Sequence, residues 1–79
     1  MSDVLDRITF DAKIMGGRAC IRGMRLPVSL IVNCLANGMT TVQLLEEYPD
    51  LEADDIRQAL RYVASLAEEE VHPLTSALP

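Results

Sequence analysis

The side chains in this chain best suited to chemistry are clustered. The thirteen residues from Gly16 to Val28, GGRACIRGMRLPV, hold three of the four glycines and three of the seven basic residues. Arg18, Arg22 and Arg25 each present a planar fork of N–H donors that stays charged and matches a carboxylate or phosphate two bonds at a time. One reading is therefore a site for an acidic partner or a phosphate. The other is that one or two of these arginines cap helix carbonyls or pair with Glu46, Glu47 or Asp50 to hold the fold. Arg25, between apolar Met24 and Leu26, is the one read as structural. The glycines do not form a nucleotide loop, because no GK[ST] follows them.

Other candidate chemistry is weaker. Arg57 and Arg61 lie one turn apart on a helical stretch and are the residues suited to touching nucleic acid, but Glu52, Asp54 and Asp55 at the start of that stretch repel phosphate. The two cysteines, Cys20 and Cys34, and the single histidine, His72, are fourteen and thirty-eight residues apart in turn. These spacings match no zinc pattern, and a structural zinc needs four ligands. No serine or cysteine stands beside a base, so no catalytic residues, metal or cofactor are expected and the chain is not read as an enzyme.

Composition narrows the class. Seventy-nine residues make one small domain, with 49% hydrophobic residues but only two tyrosines and one phenylalanine. A core of Leu, Ile, Val and Ala favours helices. The net charge of −5 is unevenly distributed: residues 1–27 hold five bases and three acids, residues 28–79 two bases and nine acids. That balance argues against strong non-specific nucleic-acid binding and leaves a basic patch in the first third. The first residues, MSDVLDR, contain no apolar signal segment, and no run approaches the ~20 apolar residues of a membrane span. The expectation is a cytoplasmic protein with reduced thiols and no membrane contact.

The elements that must position the arginines follow from pattern. Ile8–Phe10 reads as a short strand pairing near Arg25–Val28. The first helix begins past Pro27 at Val28 or Ser29, with Ser29 as N-cap, and ends at Asn37-Gly38. Thr40 and Gln43 form a capping box for the second, with Met39 and Leu44 as its staple and Val42 and Leu45 on its buried side. Tyr48 ends that helix before Pro49. The third runs from about Ala53 to Glu70, its apolar stripe at Ile56, Leu60, Val63, Ala64 and Ala67, and stops before Pro73. Ile56, Leu60 and Val63 are expected to carry the core. Residues 1–70 thus form a single mainly α domain, a three-helix helix-turn-helix-like core with a small N-terminal β element, and residues 71–79 a tail. A core this small, with Leu74, Ala77 and Leu78 left over, suggests a homodimer.

The segments GGRACIRGMRLPVSLIV and LANGMTTVQLLEEYPDLEADDIRQALRYV together resemble the small bacterial and archaeal family known as domain of unknown function 433. Its pattern is approximately I-x-x-x-P-x-I-x-G-G-K-P-x-I-x-G-T-R-I-P-V, a helix, L-A-x-G-x-S/T, and Y-P-x-L-T-x-E-D-I. The match spans about residues 7 to 64. Ala19 stands where proline is usual, Met24 where threonine is usual, and Glu52 replaces the threonine that would cap the third helix. The resemblance implies a homeodomain-like fold and similarity to the antitoxins of Vap-type pairs, which neutralise a toxin with a PIN-like ribonuclease domain.

Such a partner would carry a carboxylate-rich, anionic catalytic mouth. Arg18 and Arg22 are then the candidates to plug it, Arg25 a further partner-binding residue, and Leu74 and Leu78 a second apolar grip. DNA binding through Arg57 and Arg61, alone or with the toxin, is the alternative: a small helix-turn-helix transcriptional regulator.

Overall fold

The computed structural model describes the backbone of residues 5–77 and the side chains of residues 5–68. Two short strands, β1 (Ile8–Thr9) and β2 (Cys20–Ile21), precede three helices, α1 (Val28–Ala36), α2 (Thr41–Glu47) and α3 (Ala53–Ala77). More than half of the chain is helical, as the composition predicts. α2 and α3 are joined by a short turn through Tyr48–Glu52, and α1 packs against both. Ile8, Ile21, Val28, Ile31, Leu44, Leu51, Ile56 and Ala59 form the buried core, so every element contributes.

The β element is a correction to the expected pairing. β1 pairs antiparallel with Cys20–Ile21, in the register Ile8↔Ile21 and Thr9↔Cys20, and not with Arg25–Val28. The reason is a turn hidden inside the arginine loop. Arg22 (φ 46°) and Gly23 (φ 71°) both have positive φ, and the Met24 N–H donates to the Ile21 carbonyl at 2.8 Å. This is a type I′ turn, whose twist suits a hairpin. It folds Leu26 and Pro27 back onto β2, with the Ile21 N–H donating to the Leu26 carbonyl and Cys20 bridged to Pro27. The residues expected beside β1 therefore lie one strand further away.

α1 has Pro27 as its N-cap, not Ser29, and no side chain caps it; the Val28 N–H instead donates to the Ala19 carbonyl. Its end follows the expected glycine stop. Gly38 sits at φ 99°, its N–H donating to Leu35 and that of Met39 to Cys34, the paired bonds of a Schellman motif. α2 has the full capping box: the Gln43 N–H donates to Thr40 Oγ1 and the Thr40 N–H to Gln43 Oε1. Leu44 is buried and Leu45 half-buried, but Val42 faces solvent.

On α3 the buried face is turned by about one residue from the expected stripe. Ile56 and Ala59 are buried and Val63 half-buried, whereas Leu60 is 42% exposed. The hydrophobic pattern misplaces the face because two of its buried members are polar, Asp55 and Gln58. The helix also continues beyond Glu70, through Pro73 to Ala77. The side chain of Leu74 and all of Leu78 lie outside the described residues.

Candidate functional site

The densest polar constellation joins the N-terminal β element to the start of α3. Asp55 is fully buried (0% exposed) and accepts from four donors. Arg22 approaches it side-on, with Nε 3.0 Å from Oδ1 and Nη2 2.8 Å from Oδ2. Arg7 Nη1 donates to Oδ1 at 2.9 Å, and the Glu52 N–H to Oδ2 at 2.8 Å. The Glu52 contact is half of a capping box, an N3 carboxylate reaching back to the N-cap N–H. This half of the box needs no threonine at position 52; the Asp55 N–H, which a threonine hydroxyl would take, donates to the Glu52 carbonyl at 2.9 Å.

Arg7 reaches further, to Glu52 Oε1 at 2.8 Å and to Asp54 Oδ2 at 3.8 Å. Arg22 Nη2 also donates to the Asp50 carbonyl at 2.7 Å, closing the turn before α3. Around this clamp, buried Gln58 accepts from the Arg7 N–H and donates to Asp6, both at 2.9 Å. Thr9 Oγ1 accepts from the Gly23 N–H at 2.8 Å, fastening the type I′ turn to β1.

The electrostatics follow from this geometry. Burial alone would raise the Asp55 carboxyl, but the guanidiniums of Arg22 and Arg7 and the Glu52 N–H outweigh burial and hold it below its usual range. The Arg22 guanidinium is raised by its bonds to Asp55, and that of Arg7 by its bonds to Glu52 and then Asp55, so both stay charged. Arg22 adopts its left-handed φ at a cost on the order of 1 kcal/mol, and the clamp is what over-determines it. A local rule is broken here where a long-range contact requires it.

The three loop arginines therefore divide. Arg22 holds the fold, through Asp55 and the Asp50 backbone and not through the acidic side chains of Glu46 or Glu47. Arg25, read from its neighbours as the structural one, is exposed, and neither it nor Arg18 has a hydrogen bond or ion pair among the described residues. Arg18 stands at the rim of an apolar cleft of about 340 Å³ lined by Ala19, Val28, Ser29, Tyr62, Val63 and Leu66. Phe10 extends the same surface, stacked edge-on against Tyr62 with ring centroids 5.9 Å apart. Arg57 is on the opposite side of α3, with Nε donating to Asp54 at 3.3 Å, and Arg61 is exposed one turn further.

Sequence reasoning missed Arg7 and Asp55 as a pair. The available signal was positional: an aspartate at N3 of a helix whose N-cap side chain is a poor one. Both cysteines are free, Cys20 buried and Cys34 half-buried. Among the described residues, no group of three or more His, Cys, Asp or Glu side chains could hold a metal ion. No helix among them is long and apolar enough to cross a membrane.

Fold and site together define a small three-helix domain whose N-terminal hairpin is clamped onto its last helix by a buried carboxylate. The comparisons with known proteins bear on the fold. The chain belongs to the family described as "Protein of unknown function (DUF433)", which matches residues 8–63. A crystal structure of a DUF433 member from Anabaena variabilis is similar to it at a TM-score of 0.73 and 30% identity, over 87% of this chain and 68% of the other. The uncharacterized protein y4eO of Sinorhizobium fredii (strain NBRC 101917 / NGR234) is 36% identical over 55 residues, which is 70% of this chain and 25% of that protein. The chain thus matches about a quarter of the length of that curated relative.

Proposed function

We propose that this protein is an antitoxin-like interaction module that binds and neutralises a PIN-like ribonuclease toxin, using Arg18 and Arg25 against an anionic surface of the toxin. One observation carries the reading. Of the three loop arginines, these two are exposed without a partner among the described residues, and Arg18 borders an apolar cleft. A permanent cation at the edge of apolar surface is the composition expected of a protein-binding hot spot.

The second reading, a DNA-binding regulator, has less support. The start of α3, which in a helix-turn-helix protein meets base edges, carries exposed Glu52 and Asp54, and the buried Asp55 is already bonded to Arg7 and Arg22. Arg57 faces one of those acids. A groove beside it is lined by Leu45, Ile56 and Leu60, an apolar surface ill-suited to phosphate.

The test is co-expression with the toxin encoded beside this gene. Arg18→Glu with Arg25→Glu should abolish protection of the host while the melting temperature stays within a few degrees of the parent. Full protection by the double variant overturns the proposal. Arg22→Glu is unsuitable for this purpose, because removing it opens the clamp. In a gel-shift assay the isolated protein should bind operator DNA no better than unrelated DNA; a specific shift lost in Arg57→Glu favours the regulator.

A further inference from the structure

α3 is the longest helix of the fold. Among the described side chains, Tyr62 and Val63 are the last of α3 packed on the core and Leu66 the last in the neighbouring cleft, and the helix runs on to Ala77. At 1.5 Å per residue its 25 residues span roughly 37 Å. A helix in water takes most of its stability from burying an apolar face.

A second apolar line runs along this helix beside the core-facing one. Leu60, Ala64, Ala67, Val71 and Leu74 follow one another at spacings of 4, 3, 4 and 3 residues, the 3.5-residue period of a coiled-coil seam. Leu60, Ala64 and Ala67 are all exposed. The seam begins in the groove of about 300 Å³ between α2 and α3, lined by Thr41, Leu45, Ala53, Ile56, Arg57 and Leu60. Small residues at 64 and 67 allow two helices to approach closely.

Charge selects the direction of pairing. Two parallel copies would bring the acidic run Glu68–Glu70 of each against the same run of the other. Antiparallel pairing about the middle of the seam sets Ala64 against position 67 of the second copy and Leu60 against position 71. The acidic run then lies alongside Arg61 of the other helix, twice by symmetry, and position 74 reaches the α2–α3 groove.

We propose that α3 is the seam of a homodimer, pairing antiparallel with α3 of a second copy so that the last turns of each helix lie in the α2–α3 groove of the other. This face is distinct from the Arg18 cleft, so it goes beyond the toxin-binding reading and stands without it. It also covers Arg57 and Arg61, which removes α3 as a DNA-reading helix in the dimer.

Sedimentation velocity on the full chain, from micromolar to submillimolar concentration, tests the proposal. The parent should sediment as a dimer and Leu60→Glu as a monomer. Leu60 is exposed, so the variant should keep the near-parental helical signal of its core. Arg61→Glu alone should raise the dissociation constant about tenfold, and Arg61→Glu with Glu68→Arg should restore it, because the pair is exchanged across the seam. A parent that stays monomeric, or a dimer untouched by Leu60→Glu, overturns the proposal, and a monomer leaves the groove to a different protein. Failure of the exchanged pair to recover overturns the antiparallel register.

Discussion

Replacing Asp55 with alanine should destabilise the fold by about 3 kcal/mol, although it removes an acid from a strongly acidic protein. The magnitude follows from what the carboxylate holds. Four donors converge on a fully buried group, and truncation leaves two guanidiniums and the Glu52 N–H without their acceptor. Breaking a buried ion pair from one side is worth about 3–5 kcal/mol. The lower end applies because Arg7 and Arg22 remain partly in water, with 25% and 35% of their side chains exposed. A domain of this size has a stability of about 4–12 kcal/mol in all, and each kcal/mol moves its midpoint by about 4–8 °C. Thermal denaturation followed by circular dichroism at neutral pH should therefore drop by roughly 12–24 °C. Asp54→Ala supplies the control, since it removes the same charge one residue away from an exposed site. If both variants melt together, near the parent, the clamp does not hold the domain and the reasoning fails. Asp55→Asn should resemble alanine more than the parent, because its amide turns a donor toward the guanidiniums. The effect has a pH signature as well. A carboxyl held below its unfolded value of 3.8 contributes stability that is complete above that value and lost as pH falls through the folded one. Acid should therefore narrow the gap between Asp55→Ala and the parent as pH drops below about 4.

The corrected α3 face gives a second contrast: Ile56→Ala, at a buried site, should cost about 2–5 kcal/mol in urea titrations, whereas Leu60→Ala in the monomer should cost less than about 1 kcal/mol. Equal costs would restore Leu60 to the core. Thr40→Ala should lower stability by about 1 kcal/mol through the capping box, measured by the same titration. Gly38→Ala should cost about 1 kcal/mol from backbone strain alone, because an added Cβ would meet nothing within 4 Å at this φ of 99°.

Local chemistry was the legible part of the sequence. The Thr40–Gln43 capping box, the Gly38 stop and the end of α2 at Tyr48 are each set by residues within one turn of one another, so spacing alone reveals them. What depended on distant partners was not legible. Leu60 and Ile56 look equivalent along a 3.6-residue stripe, and only the burial of Asp55 and Gln58 rotates the true face away from Leu60. Hydropathy counts those two as surface residues because it values an isolated carboxylate, not one that four donors satisfy. The strand pairing failed for a related reason. A type I′ turn favours Asn-Gly or Gly-Gly at its centre, and Arg22-Gly23 fills it with an arginine held in place from 33 residues away. Helix pattern and family resemblance together gave the fold class and left these details to the contacts.

The division among the N-terminal bases is where fold and function meet. Arg7, Arg18, Arg22 and Arg25 are indistinguishable by composition, all lying within the first 27 residues of a chain whose remainder is acidic. The start of α3 draws two of them in. Its dipole favours anions, and Glu52, Asp54 and Asp55 supply more negative charge there than backbone N–H groups alone would balance. Arg7 and Arg22 offset that charge from the hairpin side, which ties the loop down and uses up the helix end as an anion site. The basic character visible from outside is thereby moved to Lys13, Arg18 and Arg25, away from the helix that a DNA-binding protein would present. The same reversal of sign should then have opposite consequences a few residues apart: at position 22 it opens the fold, and at position 18 it leaves the fold intact and changes what the surface can hold.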